Sequence, residues 1–69
     1  MEKRELETEL LTIRETALLL RQAEVTIRQR IARRQIGVVR LGRSVRLPRV
    51  ELTRLIERGY VPPAPERPR

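Results

Sequence analysis

The spacing of apolar residues changes within one basic segment, residues 25–49, and this change limits the folds that the chain can adopt. Ile27 and Ile31 are four residues apart, which is the spacing of one helix face. From Val38 onward, apolar residues alternate with arginines instead, as in strands whose side chains point to opposite faces. The segment therefore predicts a short helix followed by a β-hairpin.

The charge of the chain is concentrated in the same segment. Eight arginines and no acidic residue lie in it, whereas residues 1–24 carry a net charge of −2 and residues 50–69 carry +1, within a total of +7. A short chain with its positive excess in one third is suited to binding a polyanion. Arginine-rich composition and a merely solvated basic face remain the simpler alternative. The exclusion of acidic residues favours a nucleic-acid-binding helix and hairpin.

The residue types that are missing argue against catalysis. The chain has no His, Cys, Asp or Asn, and its only serine, Ser44, therefore has no histidine to activate it. We expect no enzymatic activity, no cofactor, no metal site and no small-molecule substrate. The longest apolar run, residues 17–20, is too short to span a membrane, and the charged N-terminus does not resemble a signal peptide. We expect a cytoplasmic, nucleoid-associated protein.

A first helix is predicted over residues 13–20. Thr12 and Glu15 have the spacing of a capping box, and Ile13, Ala17 and Leu20 fall on one face with Leu19 beside them. Leu18 lies off this stripe. It is either a singly exposed leucine or a self-association contact.

A second helix is predicted over residues 24–34, after a tight turn and with Ala23 as a poor N-cap. Turning Ile27 and Ile31 inward leaves an outer basic surface, which is the helix-turn-helix pattern. We expect Arg28 and Gln29 to reach base edges, and Thr26 and Arg33 to bind phosphates. The candidate DNA contacts of this helix are Val25, Thr26, Arg28, Gln29, Arg30, Arg33 and Arg34.

The hairpin is predicted to turn at residues 41–44, where Gly42 can supply the positive φ of a type II′ turn. The alternation predicts Arg40 and Arg46 on the outer face and Arg43 at the tip. We expect the apolar residues Val39, Leu41, Val45 and Leu47 to pack on the helices. The candidate DNA contacts of the hairpin are Arg40, Arg43, Ser44 and Arg46.

A third helix is predicted over residues 49–58, with Gly59 as the residue that ends it and Tyr60 folding back on the last turn. Its apolar set is Val50, Leu52, Leu55 and Ile56. The predicted organisation is a flexible charged arm (1–9), a folded domain (10–59) and a proline-rich, disordered tail (60–69). The tail is either idle or a partner-binding arm, in which Arg67 and Arg69 could pair with an acidic surface.

Several short motifs, in this order and spacing, resemble the excisionase-type, MerR-like winged helix-turn-helix family. They cover about residues 10–58: the segments LTIRE (11–15), VRLGR (39–43) and RLPR (46–49), together with Ala17, Leu19, Leu20, Thr26, Ile27, Leu52, Leu55 and Ile56. The resemblance implies a mainly α domain with a small β-hairpin wing, in the order α-α-β-β-α. That family usually has Gly-Val-Ser where this chain has Arg21-Gln22-Ala23.

The resemblance also implies a function. The second helix would enter the major groove of double-stranded DNA, and the wing would reach the minor groove or phosphates. Family members commonly act as recombination directionality factors that bend attachment-site DNA for an integrase, which makes an integrase and neighbouring copies of the chain itself the expected partners. A small transcriptional regulator is the alternative, and a basic RNA-binding protein is a second one. The lack of Phe and Trp argues against single-strand recognition by stacking.

Overall fold

The structure, a computed structural model, describes residues 9–65. It contains β1 (Leu10–Leu11), α1 (Ile13–Leu20), α2 (Glu24–Ala32), β2 (Val39–Leu41), β3 (Ser44–Pro48) and α3 (Arg49–Gly59). The strands form an antiparallel sheet in the order β1-β3-β2. The predicted winged helix-turn-helix architecture is confirmed, with β1 as an additional strand. Most of the predicted N-terminal arm, residues 1–8, and the end of the tail, residues 66–69, lie outside the described residues.

The capping box at the start of α1 is confirmed. The amide of Glu15 donates to the Thr12 hydroxyl over 3.0 Å, and the amide of Thr12 donates to the Glu15 carboxylate over 2.9 Å. The hydroxyl of Thr16, which is fully buried, donates to the carbonyl of Thr12 over 2.9 Å. Six polar groups at the helix start are therefore satisfied locally by three hydrogen bonds, which explains why this boundary was predictable from the sequence.

Each helix of the helix-turn-helix is followed, one or two residues after its end, by an arginine in the left-handed conformation. Arg21 has φ 54° and Arg34 has φ 61°. After α1, the amides of Arg21 and Gln22 donate to the carbonyls of Leu18 and Ala17 over 3.3 and 2.9 Å. This is the Schellman arrangement, in which glycine is the usual left-handed residue. The tight turn thus forms without the glycine that the related family has there.

The predicted end of α2 at Arg34 was wrong, because the helix ends at Ala32. The amides of Arg34 and Gln35 donate to the carbonyls of Ile31 and Arg30 over 3.0 and 2.9 Å, which closes the helix by the same arrangement. The start at Glu24 was correct. Ala23 makes no side-chain cap, because its methyl group cannot accept a hydrogen bond.

The predicted faces of the hairpin were wrong, although its turn was correct. Gly42 has φ 63°, and the pairs are Val39 with Arg46, Arg40 with Val45 and Leu41 with Ser44. Cross-strand partners share a face. Arg40 therefore lies on the face of Val45 and Leu47, and Arg46 lies on the opposite face with Val39 and Leu41. With a two-residue turn, each odd-numbered residue of β2 pairs with an even-numbered residue of β3. The odd-numbered apolar residues of the two strands therefore lie on opposite faces of the hairpin.

The core is small and aliphatic, and elements from both ends of the chain contribute to it. Leu47 on β3 and Ile27 on α2 are fully buried, and Leu47 pairs with Leu11 of β1. Two residues expected with the apolar faces, Leu19 and Ile56, are 54% and 57% exposed instead. The buried apolar residues are Leu11, Ala17, Ile27, Ile36, Leu47 and Leu52, with Ile13, Leu20, Ile31, Val38 and Leu55 packed against them.

The C-terminal helix α3 follows β3 directly, with Pro48 as its N-cap residue. The amide of Arg49 donates to the carbonyl of Glu9 over 2.8 Å, and the two side chains form an ion pair at 3.6 Å. Gly59 is the last residue of the helix and is not in a left-handed conformation, and Tyr60 after it is 68% exposed. The predicted left-handed glycine after the helix and the predicted packing of Tyr60 on the last turn were wrong.

Candidate nucleic-acid interface

One face of α2 is free of core contacts and carries most of the predicted base-reading residues. Ile27 is turned into the core, and at 100° per residue the opposite side holds Val25 and Gln29, both of them exposed. Arg33, also exposed, follows directly after the helix. Arg28 is exposed on one flank and Thr26 is half-buried on the other. We call the surface formed by Val25, Thr26, Arg28, Gln29 and Arg33 the groove face.

Arg28 is held by an acidic neighbour on the groove face. Its Nη2 lies 3.5 Å from the Glu24 carboxylate one turn earlier, and both side chains are about half exposed. Such an exposed pair contributes little to stability. The pair also places a negative charge beside the guanidinium of Arg28.

Arg30 and Arg34 do not belong to the groove face. Arg30 donates through Nε to the Gln22 side chain over 3.1 Å and through Nη1 to the Gln35 side chain over 3.2 Å. Arg30 and Arg34 line a cleft of about 690 Å³ together with Arg54 and Arg58 of α3. The structure thus divides the seven candidates of the second helix between two surfaces.

The wing presents Arg40 toward α2. Arg40 and Ala32 line one cleft of about 460 Å³ between the hairpin and the helix. Arg43 and Ser44 are exposed at the tip. Arg46 lies on the opposite face, where it is half-buried and donates through Nη1 to the carbonyl of Val45 over 3.0 Å. Arg40 therefore lies across a cleft from the C-terminal end of α2, and Arg46 lies on the opposite face of the hairpin.

The pKa of the Glu15 carboxyl is lowered by its neighbours Thr12 and Arg46. The amide and the hydroxyl of Thr12, in that order of strength, lower the pKa of Glu15, and the positive charge of Arg46 lowers that pKa further. Glu15 is therefore an ionised cap at neutral pH. Within residues 9–65, no three acidic side chains lie close enough to hold a metal ion, and no helix is long and apolar enough to cross a membrane.

Arg54 and Arg58 are exposed basic residues of α3 that were not predicted as DNA contacts. They are four residues apart on α3, so their shared face could have been read from the spacing. Their proximity to α2 depends on the tertiary fold and could not. Of the candidate partner contacts, Leu18 is 70% exposed on α1, and Arg67 and Arg69 lie outside the described residues.

Two helices joined by a tight turn, with an exposed basic second helix and a basic hairpin beside it, define a DNA-binding domain of the winged helix-turn-helix class. The helix-turn-helix domain family matches residues 10–60, and the chain belongs to this family. Membership indicates sequence-specific DNA binding, and the family is typically not enzymatic. No curated protein and no solved structure matches the chain.

Proposed function

We propose that the protein is an excisionase, a recombination directionality factor that binds and bends attachment-site DNA to assist an integrase. The observation that carries the proposal is that Arg40 of the wing and Ala32 of α2 line the same cleft, so that the basic hairpin lies next to the C-terminal end of α2. Two basic elements side by side can contact a major groove and the adjoining backbone together. Excisionase-like proteins belong to the same DNA-binding family, and the order of motifs along residues 10–58 resembles theirs.

In this proposal, α2 reads bases and the wing holds the backbone. Arg28 can bind guanine and Gln29 adenine through paired hydrogen bonds, each contributing about 1–3 kcal/mol of discrimination. Thr26 and Arg33 on the groove face bind phosphates. Arg40, Arg43 and Ser44 of the wing bind the neighbouring backbone or enter a narrow minor groove. Simultaneous contact by both elements favours DNA that curves around the domain.

The proposed partners are an integrase and further copies of the chain. Residues 61–65 are exposed and contain three prolines, which stiffen the free chain and reduce the entropy lost when it docks. Arg67 and Arg69 would add charge-assisted contacts to an acidic surface. One small module reads too few base pairs to select a site alone, so neighbouring copies on DNA would supply the missing specificity.

A reconstituted excision reaction tests the proposal. Integrase, a substrate with both attachment sites and the full-length protein should give excised product, and a circular-permutation assay should show bent DNA. A chain cut after Gly59 should bind DNA nearly as tightly yet fail to support excision. Full-length protein with Arg67→Gln and Arg69→Gln separates the arginines from the rest of the tail. Excision at full yield without the tail would remove the tail from the proposal.

The same binding measurements address the two other functions. Tight binding to attachment sites with no stimulation of excision, and a change in transcription from a bound promoter, would favour a regulator. Helix-turn-helix domains serve both roles, so this alternative shares the groove face and the wing. Equal competition by RNA and by duplex DNA would contradict both and indicate an RNA-binding protein.

A further inference from the structure

The second basic surface of the molecule lies in the cleft between α2 and α3. Its charged lining residues are Arg30 and Arg34 on one side and Arg54, Arg58 and Glu51 on the other. The carboxylate of Glu51 already accepts from the amide of Gly37 over 2.7 Å and from Arg54 over 3.0 Å. Four guanidinium groups against one occupied carboxylate leave the cleft strongly positive. We call it the basic cleft.

Two guanidinium groups of the basic cleft are oriented without being neutralised. Gln35 lies between them: its side-chain oxygen accepts from Arg30 over 3.2 Å, and its backbone carbonyl accepts from Arg58 over 2.9 Å. Both acceptors are uncharged amide oxygens, so each arginine keeps its full charge. Side chains held in place lose less entropy when they bind a ligand. A planar guanidinium matches the oxygens of a phosphate group.

The basic cleft is continuous with the groove face. Arg33 is the last exposed arginine of the groove face, and Arg34, the next residue, turns into the cleft in its left-handed conformation. A DNA backbone that passes the C-terminal end of α2 therefore meets Arg34 and then the arginines of α3. Continuity with the groove face favours DNA backbone over a separate small anion.

We propose that the basic cleft binds a phosphodiester group of the same DNA, outside the segment held by the groove face and the wing. The contact makes Arg54 and Arg58 part of the DNA interface and requires the DNA to curve toward α3. This inference rests on the proposed binding of duplex DNA. It goes beyond that function by adding a third element, α3, to the two that contact DNA in a winged helix-turn-helix.

A charge-balanced variant tests the contact. Arg58→Gln combined with Glu57→Gln keeps the net charge, because Glu57 is an exposed residue of α3 that does not line the cleft. At ~0.1 M salt, this double variant should bind a long duplex about fivefold to tenfold more weakly than the wild type, and the slope of log K against log salt should fall by about 0.9. Glu57→Gln alone is the control and should retain wild-type affinity. An unchanged slope in the double variant overturns the proposal.

A second pair of variants separates binding from folding. Arg34→Gly and Arg21→Gly each remove one arginine at a positive φ, but only Arg34 lines the cleft. Both should melt at higher temperature than the wild type, while only Arg34→Gly loses affinity and one protected phosphate in ethylation interference. An equal loss of DNA affinity in both variants would mean that the change in net charge alone is responsible, and it would overturn the proposal.

NMR of the full chain tests whether the group bound in the cleft belongs to DNA, to a free anion or to an acidic protein. The amide of Gly59, a residue that lines this cleft and not the cleft beside Arg40, should shift on addition of a long duplex and keep its position in millimolar inorganic phosphate or poly-glutamate. Saturable shifts with either of those probes would assign the cleft to a small anion or an acidic protein and overturn the proposal. If the wild type binds no duplex DNA, the proposed function is contradicted. If the wild type binds duplex DNA and the substitution of Arg58 leaves the affinity unchanged, only the proposal for the basic cleft is contradicted.

Discussion

At the scale of single residues, Arg28 combines an exposed position on the groove face with an ion pair to Glu24. We predict that Arg28→Ala reduces the preference for a cognate over a scrambled duplex by about 1–3 kcal/mol, since a paired contact to guanine is lost. Competition binding with both duplexes measures the ratio of the affinities for the cognate and the scrambled duplex. Glu24→Gln is the matched control: it should raise affinity for both duplexes, because a phosphate-repelling charge is removed. Equal weakening on both duplexes by Arg28→Ala would make Arg28 a phosphate contact.

Arg21 has a left-handed backbone conformation, which is unfavourable for residues other than glycine. An L-residue at φ 54° is strained by roughly 1–2 kcal/mol, and glycine removes that strain while adding freedom to the unfolded chain. We predict that Arg21→Gly stabilises the domain by about 1 kcal/mol net, which raises Tm by about 4–8 °C. Arg14→Gly, at an exposed position inside α1, should instead destabilise by about 1 kcal/mol. Equal losses of Tm in both variants would contradict this account.

At the scale of elements, the hairpin register assigns different roles to two wing arginines that look equivalent in sequence. We predict that Arg40→Ala lowers the slope of log K against log salt by about 0.9, since a phosphate contact beside α2 is lost. Arg46→Ala should leave that slope nearly unchanged, because Arg46 lies on the opposite face and donates to the carbonyl of Val45. Salt titrations of both variants provide the comparison. A larger effect from Arg46 would place the other face of the wing on DNA.

The capping box makes the start of α1 dependent on pH. Because the pKa of Glu15 is lowered in the folded state, the ionised cap contributes stability above the ordinary carboxyl pKa and loses it as pH falls through the folded value. We predict that the Tm difference between wild type and Glu15→Gln narrows from about pH 7 to about pH 3. Glu57→Gln controls for net charge, since that carboxylate caps no helix. A difference that stays constant with pH would contradict the ionised cap.

The elements also show which parts of this fold a sequence can predict. The bounds of α1 were predictable because its cap and its apolar stripe are local. The two-residue strand β1 was not, because two leucines have no period and their pairing with Pro48 and Leu47 is long-range. The hairpin faces could have been derived from the turn length. Helical periodicity places Arg30 and Arg34 nearer the core-facing edge of α2 than Arg28 and Arg33. That they meet Arg54 and Arg58 could not be predicted, since it depends on where α3 packs.

At the scale of the whole molecule, exposed apolar residues offer a surface for contacts between copies of the chain. Leu18 is 70% exposed on α1, next to the half-exposed Leu19. We predict that band-shift titrations on DNA with several sites show cooperative complexes, and that Leu18→Glu makes the binding independent. Val61→Glu, at an 84% exposed position outside the helices, makes the same change of charge and should leave cooperativity intact. Cooperativity that survives Leu18→Glu would exclude Leu18 from the contact.

The all-aliphatic core has a practical consequence for spectroscopy. Tyr60 is the only aromatic residue of the chain, and it stands 68% exposed beyond α3. Loss of the core therefore leaves tyrosine emission and near-ultraviolet dichroism almost unchanged, so unfolding has to be followed through backbone signals. The same ring is a built-in optical probe of the tail. Because the chain has no other aromatic side chain, a change in the emission of Tyr60 reports a change in the surroundings of the tail.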